Sequence, residues 1–289
     1  MEKKSSGKLL RDRSIRVPSI LLATVFFPVF IALAGCGKVD VLPERTWAVI
    51  LEQNFYPSDY TPLDVAYRNT DSIITLLKDA GIPDGHILSL KEGVNRPDME
   101  HAIAWILERA GKDDTVLFYI FAHGPYLGDD VAFTAWFPRL WDSLEQEQKI
   151  LIIDTCFAEQ YMDPLTKRES DPGFLIGSSS RDELSWCGLE KEGLPVIGSA
   201  WLHFFLEAVK NPESDINNDR YISLEEAFTS SILPLQDYML NTVYAVPEFL
   251  EQIHQYRIYP EKMEGYPNPV FYSREGKTLN LYKISDFQP

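Results

Sequence analysis

A histidine and a cysteine in this chain each follow a short apolar run. Together their side chains have the chemistry of a nucleophile and its base. His123, with Gly124 after it, follows the run 115–121, and Cys156 follows the run 149–154. A thiol is mostly protonated at neutral pH, and a neighbouring imidazole can take its proton or lower its pKa as an ion pair. The pair therefore predicts thiol attack on a carbonyl carbon.

The two residues can meet only if the apolar runs that precede them are neighbouring strands of one sheet. The pattern predicts strands at 46–51, 86–90, 115–121, 149–154 and 174–178, and helices at 64–80 and 98–110. This alternation predicts an α/β domain of three layers, α/β/α, with a mostly parallel central sheet. The carboxyl ends of parallel strands share one edge, so His123 and Cys156 are expected to be neighbours there.

Gly124 and the backbone of Cys156 are the predicted donors for a developing oxyanion. Glycine has no side chain to crowd a substrate, and its N–H group can approach the oxygen closely. The backbone N–H of Cys156 is the second predicted donor. A single cysteine after an apolar run is more often a core residue than a nucleophile, so the catalytic interpretation depends on both residues being present.

The sequence around these residues resembles the caspase, metacaspase and legumain group of cysteine peptidases. The resemblance is carried by an apolar strand ending in His-Gly, at 123–124, and by another ending in Asp-x-Cys, at 154–156. Further similar segments lie at 113–119, 178–180 with Glu183, 198–209, 266–269 and 279–282. The resemblance covers about residues 46–283 and implies a caspase-like fold, a peptide or protein substrate and no required cofactor.

The resemblance also implies roles for individual residues. Cys156 is the implied nucleophile that forms a thioester acyl-enzyme, and His123 is its base. The implied substrate pocket is lined by Ser179, Ser180 and Glu183. Asp154 is expected to hold its loop by hydrogen bonding, and a purely structural role is equally open.

Two departures from the family pattern leave a second hypothesis open. Phe121 and Ala122 precede the histidine where many members have Ser-Gly, and 157–159 replace the usual x-Ser-Gly after the cysteine. These changes leave the P1 preference undetermined among Asp, Asn and Arg or Lys, with the acidic composition favouring Arg or Lys. The alternative is a non-catalytic caspase-fold lipoprotein that binds a partner protein.

The N-terminus has the pattern of an export signal. A basic segment precedes the apolar run 19–35, and 33–36 (Leu-Ala-Gly-Cys) resembles the bacterial lipobox, which implies cleavage before Cys36 and lipidation of its sulfur. We therefore expect a signal peptide at 1–35, a lipidated linker at 36–45 and the caspase-like domain at 46–289. The predicted location is the bacterial cell envelope, with a lipid anchor in the membrane. The alternative is an uncleaved transmembrane anchor.

Charge excludes one class of partner. The chain has a net charge of −16, and residues 1–35 contain six of its 27 basic side chains but only two of its 43 acidic ones. The remainder is therefore strongly acidic. Nucleic-acid binding needs clustered Lys and Arg, so the sequence predicts no nucleic-acid partner.

Residues 215–226 have the spacing of an EF-hand calcium loop. The predicted ligands are Asp215, Asn217, Asp219, Tyr221 through its backbone, Ser223 and Glu226. Oxygen ligands at these intervals suit Ca²⁺, although Arg220 stands where the turn favours glycine. The alternative is a polar loop in which Ser223 and Glu226 form a capping box for the following helix, and both interpretations can hold together. Cys187, the remaining cysteine, is expected to be a free thiol.

Overall fold

The computed structural model describes residues 38–41, 43–53, 66–92, 95–124, 133–168, 170–249, 267–273 and 278–283. The chain divides into the units Met1–Gly35 and Cys36–Pro289, and every described residue belongs to the second. The predicted signal peptide and Cys36 therefore lie outside the described residues. Within the described ranges, no helix combines the length and the hydropathy that crossing a bilayer requires.

Strands and helices alternate along the described chain. The strands are β1 (Lys38–Asp40), β2 (Thr46–Glu52), β3 (Ile87–Lys91), β4 (Thr115–Phe121), β5 (Gln148–Asp154), β6 (Phe174–Gly177), β7 (Cys187–Gly188), β8 (Gly198–Ser199), β9 (Tyr221–Ser223), β10 (Val270–Tyr272) and β11 (Thr278–Lys283). The α-helices are α1 (Ala66–Asp79), α2 (Arg96–Leu107), α3 (Phe133–Asp142), α4 (Ala158–Thr166), α5 (Ala200–Lys210) and α6 (Leu224–Tyr238). Short 3-10 turns lie at Pro43–Arg45, Asp84–His86, Glu190–Glu192 and Pro212–Ser214, and a π-helical turn at Met239–Val243 follows α6.

Six strands form the central sheet in the order β10-β6-β5-β4-β2-β3. The pairs from β6 to β3 are all parallel, and β10 joins antiparallel at the β6 edge. This confirms the predicted mostly parallel sheet. A second sheet, in the order β1-β11-β9, contains the segment 279–282, and β10 forms the edge of the central sheet next to β6.

Apolar side chains cover both faces of the central sheet, as expected for parallel strands. One face packs against α1, α5 and α6, with Ile73, Phe205 and Leu224 among the buried residues. The other face packs against α2, α3 and α4, with Ile106 and Phe137 among the buried residues. The domain is therefore the predicted α/β/α sandwich. The candidate residues are expected at the edge formed by the carboxyl ends of its parallel strands.

Candidate active site

The register of β4 and β5 determines where the candidate pair lies. In the parallel ladder Phe121 is opposite Asp154. His123 and Cys156 each follow two residues later, so the two strands end level with each other and deliver the pair to the same edge. Both residues are part-buried. The predicted arrangement of the two strand ends is present.

Gly124 lies directly against Cys156. A Cβ atom built on Gly124 would be 2.1 Å from the Cys156 carbonyl oxygen and 3.2 Å from the Cys156 Cβ. No side chain fits at that distance, so glycine is required by the backbone of the cysteine itself. The Tyr161 hydroxyl donates a hydrogen bond to the Gly124 carbonyl and ties the same segment to α4. The histidine and cysteine segments therefore form one packed unit.

Two buried serines after β6 hold the turn that carries the cysteine. The Ser178 hydroxyl accepts the Thr155 N–H at 3.0 Å. The Ser179 hydroxyl accepts the Ala158 N–H at 3.1 Å and donates to the Thr155 carbonyl at 2.9 Å. Ser179 is completely buried. Its side chain, predicted to line the substrate pocket, is therefore engaged with the backbone on both sides of Cys156.

Ser180 and Glu183 form a tight turn next to the cysteine. Ser180 is part-buried, and its carbonyl accepts the Glu183 N–H at 3.3 Å. The Glu183 carboxylate accepts the Asn268 backbone N–H at 2.7 Å and its side-chain N–H at 2.5 Å. Glu183 thus connects the segment before β10 to this turn. Substrate contact by Ser179, Ser180 and Glu183 stays a prediction.

The residue after the cysteine adopts an unusual backbone conformation. Phe157 has φ 60° and ψ 30°, in the left-handed region, where a non-glycine residue costs about 1–2 kcal/mol. Its N–H donates to the Glu183 carbonyl at 2.8 Å, and its carbonyl accepts the Gln160 N–H at 3.0 Å. These bonds support a sharp turn between β5 and α4. The turn places Cys156 at its apex rather than within the strand or the helix.

A buried carboxyl group lies at the end of β5, two residues before Cys156. Asp154 is completely buried, and Tyr119, four residues before His123, donates its hydroxyl to Asp154 Oδ2 at 2.9 Å. Burial raises the pKa of Asp154 from 3.8 to about 6, although contacts with the hydroxyls of Ser199, Tyr119 and Ser178 oppose the shift. This environment supports the structural role that was one of the two open roles for Asp154.

We expect Asp154→Asn to change how stability depends on pH. Because the pKa is higher in the folded state, the proton stabilises the fold fully below pH 3.8, and this contribution is lost as the pH rises to about 6. The shift corresponds to about 3 kcal/mol. The difference in unfolding free energy, variant minus wild type, should therefore rise by about that amount from pH 3 to pH 7 in denaturant titrations. Asp79→Asn, at an exposed site, is the control, and a flat difference for Asp154→Asn would contradict the assignment.

The surroundings of Cys156 raise the pKa of its thiol and so favour the protonated form. Burial raises its pKa to about 11, and the nearby Asp154 carboxylate adds to the increase. Its Sγ donates to the Ser185 carbonyl at 3.8 Å. Cys156 and Cys187 are both free thiols, as expected for Cys187. The sequence allows two modes of activation, removal of the proton by a base or a preformed thiolate. The raised pKa of Cys156 favours removal of the proton by a base.

Alkylation of Cys156 should therefore accelerate steeply with pH. Iodoacetamide reacts with the thiolate, whose fraction rises about tenfold per pH unit below the pKa. The labelling rate of Cys156, followed by peptide mass mapping, should rise about 100-fold from pH 7 to pH 9. A rate that is already at its plateau at pH 7 would show a preformed thiolate instead.

Comparison with known proteins identifies the family. Residues 45–231 match the family model described as the caspase domain, which is more than half of the chain. The chain belongs to the caspase domain family. Among solved structures, it is similar to caspase-1 from Spodoptera frugiperda, with a TM-score of 0.54 and 14% identity over 83% of this chain and 90% of the caspase. At that identity the likeness concerns the fold. No curated protein sequence matches the chain.

The EF-hand-like segment of this caspase domain folds as a compact loop leading into α6. Asn218 and Arg220 have positive φ, so Arg220 adopts the conformation that the turn requires in place of glycine. The carboxylates of Asp215 and Asp219 accept backbone N–H groups within the loop. In the part of the chain that the structure describes, no three His, Cys, Asp or Glu side chains are grouped as metal ligands.

The capping interpretation of this loop is present in the structure. The Ser223 hydroxyl accepts the Glu226 N–H at 3.2 Å, and the Glu226 carboxylate accepts the Ser223 N–H at 2.9 Å. The other Glu226 oxygen accepts the Asn217 N–H at 3.1 Å. The two bonds between Ser223 and Glu226 satisfy free N–H groups at the start of α6, and the bond to Asn217 ties the loop to the helix. Calcium binding by the same loop stays a prediction.

Several residues that support the candidate site could not be identified from the sequence. Tyr119 contacts Asp154, Tyr161 contacts Gly124, and Ser199 is a partner of Asp154 from the start of α5. The sequence gives one indication of the role of Tyr119, because it is a polar group within an apolar strand four residues before the histidine. It gives none for Tyr161 and Ser199, because their partners are distant in sequence.

Proposed function

We propose that this caspase-family protein is a cysteine endopeptidase that cleaves peptide bonds with Cys156 as nucleophile and His123 as base. The observation that carries the proposal is the level ending of β4 and β5, with Gly124 packed against Cys156 at the carboxyl edge. Parallel α/β sheets bind ligands at that edge. The family assignment supports peptide hydrolysis.

The proposed reaction begins with a neutral thiol. His123 takes the proton from Cys156 as the sulfur attacks the scissile carbonyl carbon, and the carbonyl oxygen becomes an oxyanion. The backbone N–H groups of Gly124 and Cys156 are the proposed donors to that oxyanion. His123 then protonates the leaving amine, and a thioester remains on the sulfur. Water, deprotonated by His123, hydrolyses the thioester and restores the thiol.

The proposed substrate is a peptide or protein with Arg or Lys at P1. The support is electrostatic, since the chain carries a net charge of −16. We further propose that a lipid on Cys36 tethers the enzyme to a bacterial envelope membrane. This part of the proposal rests on the lipobox-like segment 33–36, and intact-mass analysis of membrane extracts tests it, because diacylglycerol on the sulfur has a defined mass.

One observation favours the second candidate function, a non-catalytic protein that binds a partner. The part-buried Cys156 thiol, whose pKa is raised to about 11, donates a hydrogen bond to the Ser185 carbonyl, which is an unreactive arrangement for a nucleophile. A catalytic protein must break that contact when substrate binds. A binding protein keeps it.

A fluorogenic peptide library with varied P1 distinguishes the two functions. Wild-type protein is compared with Cys156→Ala and with Cys187→Ala, which removes the other described thiol. The endopeptidase predicts cleavage by wild type and Cys187→Ala and no cleavage by Cys156→Ala. Equal turnover by wild type and Cys156→Ala, or no turnover at any P1 residue, would reject Cys156 catalysis.

A further inference from the structure

The first described strand begins close to the residue that is proposed to carry the lipid. Lys38, the first residue of β1, is two positions after Cys36, so the Cα atoms of these residues are at most about 7 Å apart. Lys38 pairs with Thr278 of β11 and is therefore held in a sheet. An anchor on Cys36 thus keeps this part of the domain near the membrane.

The directions of three helices show which side of the domain is anchored. α1 and α5 line one cleft, and Asn69 near the start of α1 accepts the N–H of Ser199, the residue before α5. Ser199 is also a partner of Asp154 at the end of β5, so both helices start at the carboxyl edge. α6 returns the other way, because its last residue, Tyr238, lies beside the Val196 backbone. The start of α6 is therefore on the opposite side of the domain, which we call the amino side.

The strand β1 is attached to this amino side. The Val41 N–H donates to the Asn280 carbonyl at 2.9 Å, and Asn280 is opposite Ser223, the residue before α6. Two residues after Val41, Pro43 lies within contact distance of Gly81, just beyond the end of α1, and β2 then enters the central sheet. The anchor is therefore on the amino side, and the candidate active site is on the carboxyl side.

An aromatic patch with an exposed leucine also lies on the amino side. Trp47, at the start of β2, stacks on His86 with ring centroids 3.7 Å apart and meets Trp105, near the end of α2, edge to face at 5.5 Å. The three rings are part-buried. Leu107, the last residue of α2, is 46% exposed, and the Arg109 guanidinium lies over the Trp105 ring at 5.3 Å. Tryptophan and arginine beside apolar side chains are typical of surfaces in the membrane interface.

The charged side chains around this aromatic patch are paired. Arg45 pairs with Asp113 and Asp114 at 3.5 and 3.0 Å, and Lys112 pairs with Glu147 at 3.5 Å. The chain beyond residue 35 is strongly acidic as a whole. Because anionic lipids repel an acidic surface, the amino side approaches a bilayer at a lower electrostatic cost than an acidic surface would.

We propose that the aromatic patch lies on the lipid bilayer in which Cys36 is anchored, so that the candidate active site faces away from the membrane. The patch occupies the headgroup region, and Leu107 and Trp105 contact its apolar side. The proposal rests on the proposed anchoring of Cys36 and not on peptide cleavage. Substrates then reach Cys156 from the aqueous phase rather than from the bilayer.

The test uses the full-length chain with Cys156→Ala and Cys187→Ala, in which Cys36 is the only cysteine. The protein is reconstituted in phosphatidylcholine and phosphatidylglycerol vesicles through its native lipid or, where intact mass shows none, through a maleimide lipid coupled to Cys36. Brominated acyl chains in these vesicles quench tryptophan fluorescence at the membrane interface. We expect Trp105→Phe to reduce this quenching at least about twofold, and Trp186→Phe, on the carboxyl side, to leave it unchanged.

Two leucines of similar exposure provide a matched control. Leu107 is 46% exposed on the amino side, and Leu240, which follows α6 on the carboxyl side, is 48% exposed. Leu107→Ser should reduce the quenching about twofold, and Leu240→Ser should not change it. Equal effects of the two serine substitutions, loss of quenching in Trp186→Phe instead of Trp105→Phe, or no quenching at all would overturn the proposal. These measurements use a variant without the candidate nucleophile, so failure of the proposed peptidase activity leaves their outcome unaffected.

Discussion

His123→Ala is expected to lower kcat/KM for peptide cleavage by about 10²–10⁴-fold at pH 7, the usual contribution of a general base. The reason is the thiol, whose pKa burial raises to about 11. Without a base, attack depends on the rare thiolate. The measurement is the initial rate of fluorogenic peptide cleavage, with His101→Ala, an exposed histidine on α2, as the matched control.

The pH dependence of the same variant separates a base from a structural residue. Activity of His123→Ala should rise about tenfold per pH unit from pH 7 to pH 9, since the thiolate fraction rises by that factor. The activity of the wild-type protein should not show this tenfold rise per pH unit. A variant that stays inactive at every pH, with an altered unfolding midpoint, would mean that the histidine supports the fold instead.

Gly124→Ala is expected to reduce peptide cleavage by at least about 100-fold. The new methyl group would lie 2.1 Å from the Cys156 carbonyl oxygen, so the cysteine turn or the histidine segment has to move. Displacement of this kind in a packed region typically costs about 1–3 kcal/mol. The effect is measured by cleavage assays and by denaturant unfolding of the same preparation.

Gly85→Ala is the control for this substitution. A Cβ atom on Gly85 has no neighbouring atom within 4 Å, so both activity and stability should stay at wild-type values. Wild-type cleavage by Gly124→Ala would show that the cysteine turn yields easily, and would remove the steric argument for glycine at this position.

The central strands could be predicted from sequence because each is a continuous apolar run. The predicted strand 115–121 coincides with β4, and the predicted strand 149–154 differs from β5 by one residue at its start. The location of His123 and Cys156 at one edge followed from parallel order alone. Local periodicity was sufficient for this part of the fold.

The supporting contacts could not be predicted, because they join residues that are far apart in the chain. Glu183 contacts Asn268 across 85 positions, and β1 pairs with β11, more than two hundred residues later. Ser179 was assigned to the substrate pocket from family resemblance, whereas its hydroxyl bonds the backbone around Cys156. The raised pKa of the thiol depends on burial, which a sequence does not specify.

The raised pKa of Cys156 also affects how fast its thiol is oxidised. Peroxides and disulfides react with thiolates far faster than with neutral thiols, so a group that stays protonated at neutral pH is slow to form sulfenic acid or mixed disulfides. A cysteine with a low pKa would be oxidised from the reduced thiol during storage in air. Here the fraction of molecules with an intact sulfur should stay high for long periods without added reductant, and exposure to alkaline buffer should shorten that lifetime.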